Sequence, residues 1–170
     1  MSFPRVIGID LDGVAIWSPF YNTGKQIARI DEIDMYLYHL SWFKSLRALF
    51  YSRVRPNPEI IDLVKELKQR GDRIVIISGH ADRCVNELTN CLTKMELPFD
   101  HMRLLVAKDY LSYRMFKLKM IIETGCQFYI EDRRRMVRYL RRELNGRCQI
   151  FHYQDQNPES LSEIRRVLIN

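Results

Sequence analysis

The chain is poor in cysteine and lacks any long apolar run. Its four cysteines, Cys84, Cys91, Cys126 and Cys148, show neither C-x-x-C spacing nor the density of a disulfide scaffold. They read as reduced, mostly buried residues, which points to the cytoplasm. Nowhere do eighteen uncharged apolar residues stand together, and the opening MSFPRVIGID reaches an aspartate without a long apolar core. That pattern predicts neither a leader peptide nor a membrane span, and it disfavours a membrane partner. Internal repeats and low-complexity segments are also missing. His39, His101 and His152 have no metal-ligand spacing, which argues against an imidazole-based metal centre.

What is present fits one packed domain. With 170 residues, 46% of them hydrophobic, the chain can bury one sizeable core, whereas two domains would leave each half small. Lys and Arg number 27 against 21 Asp and Glu, a formal charge of +6. Such a surface suits anionic partners, whether phosphorylated metabolites, nucleic acid or acidic lipid, without choosing among them. Much of the excess lies in RRRMVRYLRREL, residues 133–144. Met136, Val137, Leu140 and Leu144 fall on one helical face there, so the arginines read as that helix's wet side before they read as a polyanion site.

Apolar runs at 5–9, 73–78, 103–107, 128–131 and 148–153 predict buried strands. Helical patterns at 58–71, 81–96, 116–125, 133–144 and 158–170 alternate with them. Gly71 and Gly125 stand where helices end, and Pro58 and Pro158 suit first turns. Such alternation implies an α/β fold with parallel pairing and right-handed crossovers. Residues 21–58 interrupt it. Ile33, Tyr36, Leu37, Leu40, Phe43 and Phe50 form one stripe there, and Met35, Tyr38, Trp42 and Leu49 a second on another side. A helix apolar on so much of its circumference belongs in a cap over a site, then in a homodimer contact, and last on a membrane surface.

Two aspartates, Asp10 and Asp12, follow the first apolar run in RVIGIDLDGV, and Gly13 lets the chain turn away. In an open parallel sheet ligands bind outside the carboxyl ends of the strands, so both acids face the crevice. Like charges this close, partly desolvated, need a cation or proton between them. Ser78 and Gly79 end the second strand, Glu131 and Asp132 the fourth, and Lys117 precedes that last pair. An oxygen-only carboxylate cluster suits Mg2+.

The order GIDLDGV, IVIISG, FKLK and YIED, spanning residues 5–132, resembles the motif set of the haloacid dehalogenase (HAD) superfamily of phosphohydrolases. The spacing from lysine to acids in KLKMIIETGCQFYIED is similar to that of the small-cap subgroup holding 5′-nucleotidases and deoxyribonucleotidases. The resemblance implies a HAD-like, Rossmann-like three-layer fold with a central parallel β-sheet. It also implies a single catalytic domain over 1–170 with a small helical cap insert at about 21–56. It further implies a phosphatase working through an aspartyl phosphate, with Asp10 as nucleophile, Asp12 as acid and base, and Ser78 and Lys117 (or Lys119) on the phosphoryl oxygens. Mg2+ would be held by Asp10, the Asp12 carbonyl and Asp132, with Glu131 in or near that set. Substrate contacts would come from Gly13, Ser78, Gly79, His80 and Lys117. Because Asp12 is present, phosphate chemistry is preferred over carbon–halogen chemistry.

Taken singly, each residue has a plainer reading. Asp10 and Asp12 suit a turn, Ser78 a helix cap at 81, Asp132 a cap on the arginine helix, Lys117 a solvated helix, and His80 an exposed loop. Joint occurrence at strand ends outweighs these readings. The sequence departs from the family pattern at Gly79 and His80, where a small residue and arginine are usual, and at Glu131, where aspartate is more frequent. The insert is short for a closed cap, and residues 108–115 also stand near the site. The expected substrate is a nucleotide or other small phosphorylated metabolite. A polynucleotide end and a non-catalytic phosphate-binding module remain as alternatives, and Tyr21, Lys25, Tyr38 and Trp42 are candidates to shape the pocket.

Overall fold

The computed structural model describes residues 4–17, 51–105, 112–155 and 157–169. Most of the aromatic insert, including both apolar stripes, and residues 106–111 fall outside them. Within the described residues the strands are β1 (Val6–Ile9), β2 (Ile16–Trp17), β3 (Arg55–Pro56), β4 (Arg73–Ala81), β5 (His101–Leu105), β6 (Phe128–Glu131) and β7 (Gln149–His152). The α-helices are α1 (Pro58–Gln69), α2 (Val85–Lys94), α3 (Tyr113–Thr124), α4 (Arg134–Leu144) and α5 (Pro158–Ile169).

Five strands pair in the order β5-β4-β1-β6-β7, every pair parallel. Side chains alternate across the sheet with period two, and both faces are covered, as parallel sheets require. Ile7, Ile9, Ile74, Ile76, Ile130 and Phe151 point to the side packed by α1, α2 and α5. Val75, Ile77, Tyr129 and Ile150 point to the side of α3 and α4. Gly8 faces that second side, where an added Cβ would stand 2.6 Å from the Tyr129 ring and 2.9 Å from Cys126 Sγ. The strand centre therefore needs glycine to admit a full tyrosine above it. In the arginine helix the predicted apolar face is the buried one, and Arg134, Arg135, Arg138, Arg141 and Arg142 are exposed.

Pro58 opens α1, Gly71 follows it at φ 87°, and Gly125 caps α3 in the left-handed region at φ 67°. The helix expected over 81–96 is shorter than its pattern. β4 runs on to Ala81 with an irregular register past Ser78, a 3-10 turn covers Asp82–Cys84, and α2 starts only at Val85. Ser78 therefore lies on the strand and does not cap that helix. Strand β5 begins two residues before its expected start. All four cysteines are buried. Among the described residues, no helix is long and apolar enough to cross a membrane.

The chain leaves β1 for β4 and β5 on one side, then returns to place β6 and β7 on the other. The crevice generated by that reversal lies at the carboxyl ends of β1 and β6.

Candidate active site

Asp10 directly follows β1, and its backbone N–H still donates to the Ile130 carbonyl of β6 at 3.0 Å. Alternation carries its side chain to the α3 face, two residues beyond Gly8. It is 2% exposed. Leu11 N–H donates to Oδ1 at 2.9 Å, and Lys117 Nζ meets Oδ2 at 2.6 Å.

Lys117 is fully buried on α3, and the same ammonium donates to Glu131 Oε2 at 2.6 Å. Burial alone would lower its pKa, yet Asp10 and Glu131 outweigh that penalty and hold it well above the usual lysine value. The rings of Tyr113 and Tyr129 stand 4.7 and 5.7 Å from the ammonium. Lys119, two positions on, points away and pairs with exposed Glu123 at 3.8 Å. The helix thus brings Lys117 to the acids and leaves Lys119 outside.

Glu131 and Asp132 arrive from the end of β6. Glu131 is fully buried, and its Oε1 accepts from Arg133 N–H at 3.1 Å. Helix α4 has Arg133 at its N-cap position and no side-chain capping bond, so the capping reading of Asp132 does not hold. Burial, then the charge of Asp10, pushes Glu131 well above the usual carboxylate range. The same two causes raise Asp132 to about 6.

Asp12 lies in the tight turn after β1, where Gly13 takes φ 80° and donates to the Ile16 carbonyl at 2.9 Å. Its Oδ2 is 2.7 Å from His80 Nε2. Oδ1 is buried without a hydrogen-bond partner among the described residues. Burial would raise the pKa of Asp12, but His80, Arg133 and Lys117 more than compensate and hold it below the usual aspartate value.

Ser78 is buried on β4, its Oγ accepting from His80 N–H at 3.4 Å. His80 is not the exposed loop residue of the plainer reading: its side chain is 8% exposed. A Cβ added at Gly79 would stand 2.2 Å from the Tyr113 ring, so the space beside this glycine is filled by an aromatic side chain.

Asp10, Glu131 and Asp132 each offer an oxygen, all within 4.8 Å of one another. These hard donors fit a small divalent cation, and the burial and Asp10 charge that raise Glu131 and Asp132 are penalties that such an ion would relieve. Three participants were not marked in the sequence. Tyr51 donates to or accepts from His80 Nδ1 at 2.9 Å, Tyr113 packs on Gly79, and Arg133 lies 5.3 Å from the Tyr113 ring. Tyr113 falls within the 108–115 stretch and Arg133 at the start of the arginine-rich stretch, whereas Tyr51, 29 positions from His80, carries no signal in the sequence.

No protein-family profile matches the chain, and no curated protein sequence does. Solved structures do share its architecture. A chain of the Pnkp1/Rnl/Hen1 RNA repair complex superposes with a TM-score of 0.62 at 19% identity over 88% of this chain. This chain spans only 42% of that chain's length. A predicted phosphatase from Clostridium acetobutylicum gives 0.62 at 13% identity, covering 97% of this chain and 100% of the other. A HAD family enzyme from Bacteroides thetaiotaomicron, an aspartate-to-alanine mutant complexed with magnesium and inorganic phosphate, gives 0.55 at 15% identity over 91% and 96% of the two chains. At these identities the shared property is the fold, a HAD-like three-layer α/β arrangement around a parallel sheet.

Proposed function

We propose that this chain is a HAD-superfamily, Mg2+-dependent phosphomonoester hydrolase acting through an aspartyl phosphate. The observation that carries the reading is the convergence of Asp10 from β1 with Glu131 and Asp132 from β6 around one buried lysine. A purely structural ion pair needs one acid per base, and here the acids outnumber the lysine. The fold likeness to a phosphatase and to a HAD enzyme holding magnesium and phosphate supports the same reading.

An Asp10 carboxylate oxygen attacks phosphorus, forming the Asp10 O–P bond as the P–O bond to the leaving alcohol breaks. Asp12 gives the leaving oxygen its proton, then takes one from the water that hydrolyses the phosphoaspartate and releases phosphate. The resting Asp12 is held ionised by its contact with His80 and by the charges of Arg133 and Lys117. An entering phosphoryl dianion adds negative charge beside it and raises its proton affinity, which is the protonation that the first step needs. Lys117, kept cationic by the acids around it, and the Ser78 hydroxyl stabilise the equatorial oxygens, where most phosphoryl-transfer catalysis resides. Asp10, Asp132, Glu131 and the Asp12 carbonyl would hold Mg2+, which would supply charge neutralisation of the phosphoryl group.

The substrate proposed is a nucleotide or other small phosphorylated metabolite, as in nucleotidase-like HAD enzymes. The fold likeness to an RNA-repair chain favours a second reading, a polynucleotide end phosphatase, in which a 3′-phosphorylated oligonucleotide is hydrolysed faster than mononucleotides and with steep salt sensitivity. The test common to both is release of phosphate from an aryl phosphate with Mg2+, with EDTA and with Asp10→Asn. Metal-dependent turnover that falls on the order of 10⁴-fold or more in the variant is expected. Turnover that survives Asp10→Asn removes the reading, whereas failure to release phosphate with any metal shifts weight to a phosphate-binding module.

A further inference from the structure

We infer that His80 is a positioning residue for Asp12, anchored in turn by Tyr51, so that one oxygen of the acid is fixed and the other is presented for proton transfer. The inference rests on the hydrolase reading above and assigns the part of the site that the motif pattern leaves open.

His80 Nε2 lies 2.7 Å from Asp12 Oδ2, and Nδ1 lies 2.9 Å from the Tyr51 hydroxyl. With the tyrosine hydroxyl donating to Nδ1, the imidazole carries its hydrogen on Nε2, the nitrogen that faces Asp12, so a single tautomer is compatible with both contacts. Tyr51 is itself buried. Its carbonyl accepts from Cys91 Sγ of α2 at 3.7 Å, and its ring stands 5.8 Å from the imidazole, tilted at 47°. The chain Tyr51–His80–Asp12 thus ties the turn after β1 to β4 and α2. Asp12 Oδ1, buried and without a hydrogen-bond partner among the described residues, is the oxygen left to face the leaving group.

The step affected is the first one. As the alcohol departs, the Asp10 O–P bond forms, the P–O bond breaks, and the Asp12 proton moves to the alcohol oxygen. A nitrophenolate leaves without that proton, whereas an alkoxide cannot. Pre-steady-state release of the alcohol isolates this step from hydrolysis of the phosphoaspartate. It should be measured for p-nitrophenyl phosphate and for a simple alkyl phosphate, with Mg2+, in the full chain and in His80→Ala, His80→Gln and Tyr51→Phe.

General acid catalysis contributes about 10²- to 10⁴-fold. His80→Ala is therefore expected to slow release from the alkyl ester by roughly 10- to 100-fold at saturation, with KM little changed and the aryl ester slowed less than about threefold. His80→Gln keeps a donor at similar reach and should recover most of the loss. Tyr51→Phe should reproduce the pattern in weaker form. Equal slowing of both esters, or a rise in KM with the saturated rate intact, would overturn the inference, the first making His80 structural and the second a substrate contact. If the unaltered chain cleaves neither ester, the hydrolase reading falls first and this inference with it.

Discussion

At the amino end of β1, Arg5 grips Asp72 with two guanidinium nitrogens, Nε at 2.9 Å, and reaches the Leu168 carbonyl at 2.8 Å, one cation to one anion. At the carboxyl end of the same strand, Lys117 faces both Asp10 and Glu131, with Asp132 within reach of the two acids. The first arrangement is balanced and ties together the starts of β1 and β4 and the end of α5. The second keeps carboxylates in excess and buried. Folding alone gives no reason for that excess, because desolvating an acid costs free energy unless each charge is met. A strand whose two ends treat charge so differently has a structural end and a chemical end.

Removing the lysine is the strongest way to break the comparison. Lys117→Met keeps bulk and apolarity but leaves Asp10 and Glu131 without their buried cation, and losing one partner of a buried pair costs about 3–5 kcal/mol. A chemical-denaturation titration should register that loss in metal-free buffer at pH 8. It should shrink as pH is lowered, because Glu131 is held above the usual carboxylate range and takes up a proton, and it should be partly reversed by Mg2+. If Lys117→Met is as stable as the parent at pH 8, the acids are already neutral and the site is not charged as described.

Proton–metal competition sharpens the same contrast with a smaller effect. Asp132 is raised to about 6, above its usual value of 3.8. Between those two values the metal-free folded protein holds a proton that the unfolded chain has released, so this group's contribution to stability declines as pH rises through the window. Mg2+ must displace that proton, so its binding strengthens as pH rises through about 6. The rise in melting temperature on adding Mg2+ should therefore be larger at pH 7 than at pH 5, and Asp132→Asn should shrink it at both. An Mg2+ shift independent of pH would mean that Asp132 does not face the ion.

The chemical end was legible in the sequence because each of its acids stands at the end of an apolar run, and a strand end fixes where a side chain goes. The choice between Lys117 and Lys119 was not, since two positions along a helix turn roughly 200° and α3 is apolar on both sides. Phe116 and Ile121 are buried there while Met115 and Ile122 are exposed. The start of α2 was misread because ADRC fits a helix as well as the end of a strand, and only the pairing of Ala81 with Leu105 decides it. The Tyr51–His80 contact spans 29 positions and depends on how the chain returns after the insert. Gly79 shows a further limit. Sequence identifies a residue with no side chain, but not which neighbour fills the space.

The structural end supplies the smallest predicted effect and the control for the others. Asp72→Asn removes one charge from a partly exposed pair in which Asp72 raises the Arg5 pKa. Solvent screens Arg5, and an amide oxygen can still accept from the guanidinium, so the expected cost is only about 1–2 kcal/mol. Because the pair lies at the far end of the strand from Asp10, hydrolytic turnover and the Mg2+ shift should stay within about twofold of the parent, as sites without shared partners are close to additive. The measurement is a denaturation midpoint beside a phosphate-release rate. A large loss of turnover at unchanged stability would mean that tension in β1 is transmitted from one end to the other, and the division into structural and chemical ends would have to be abandoned.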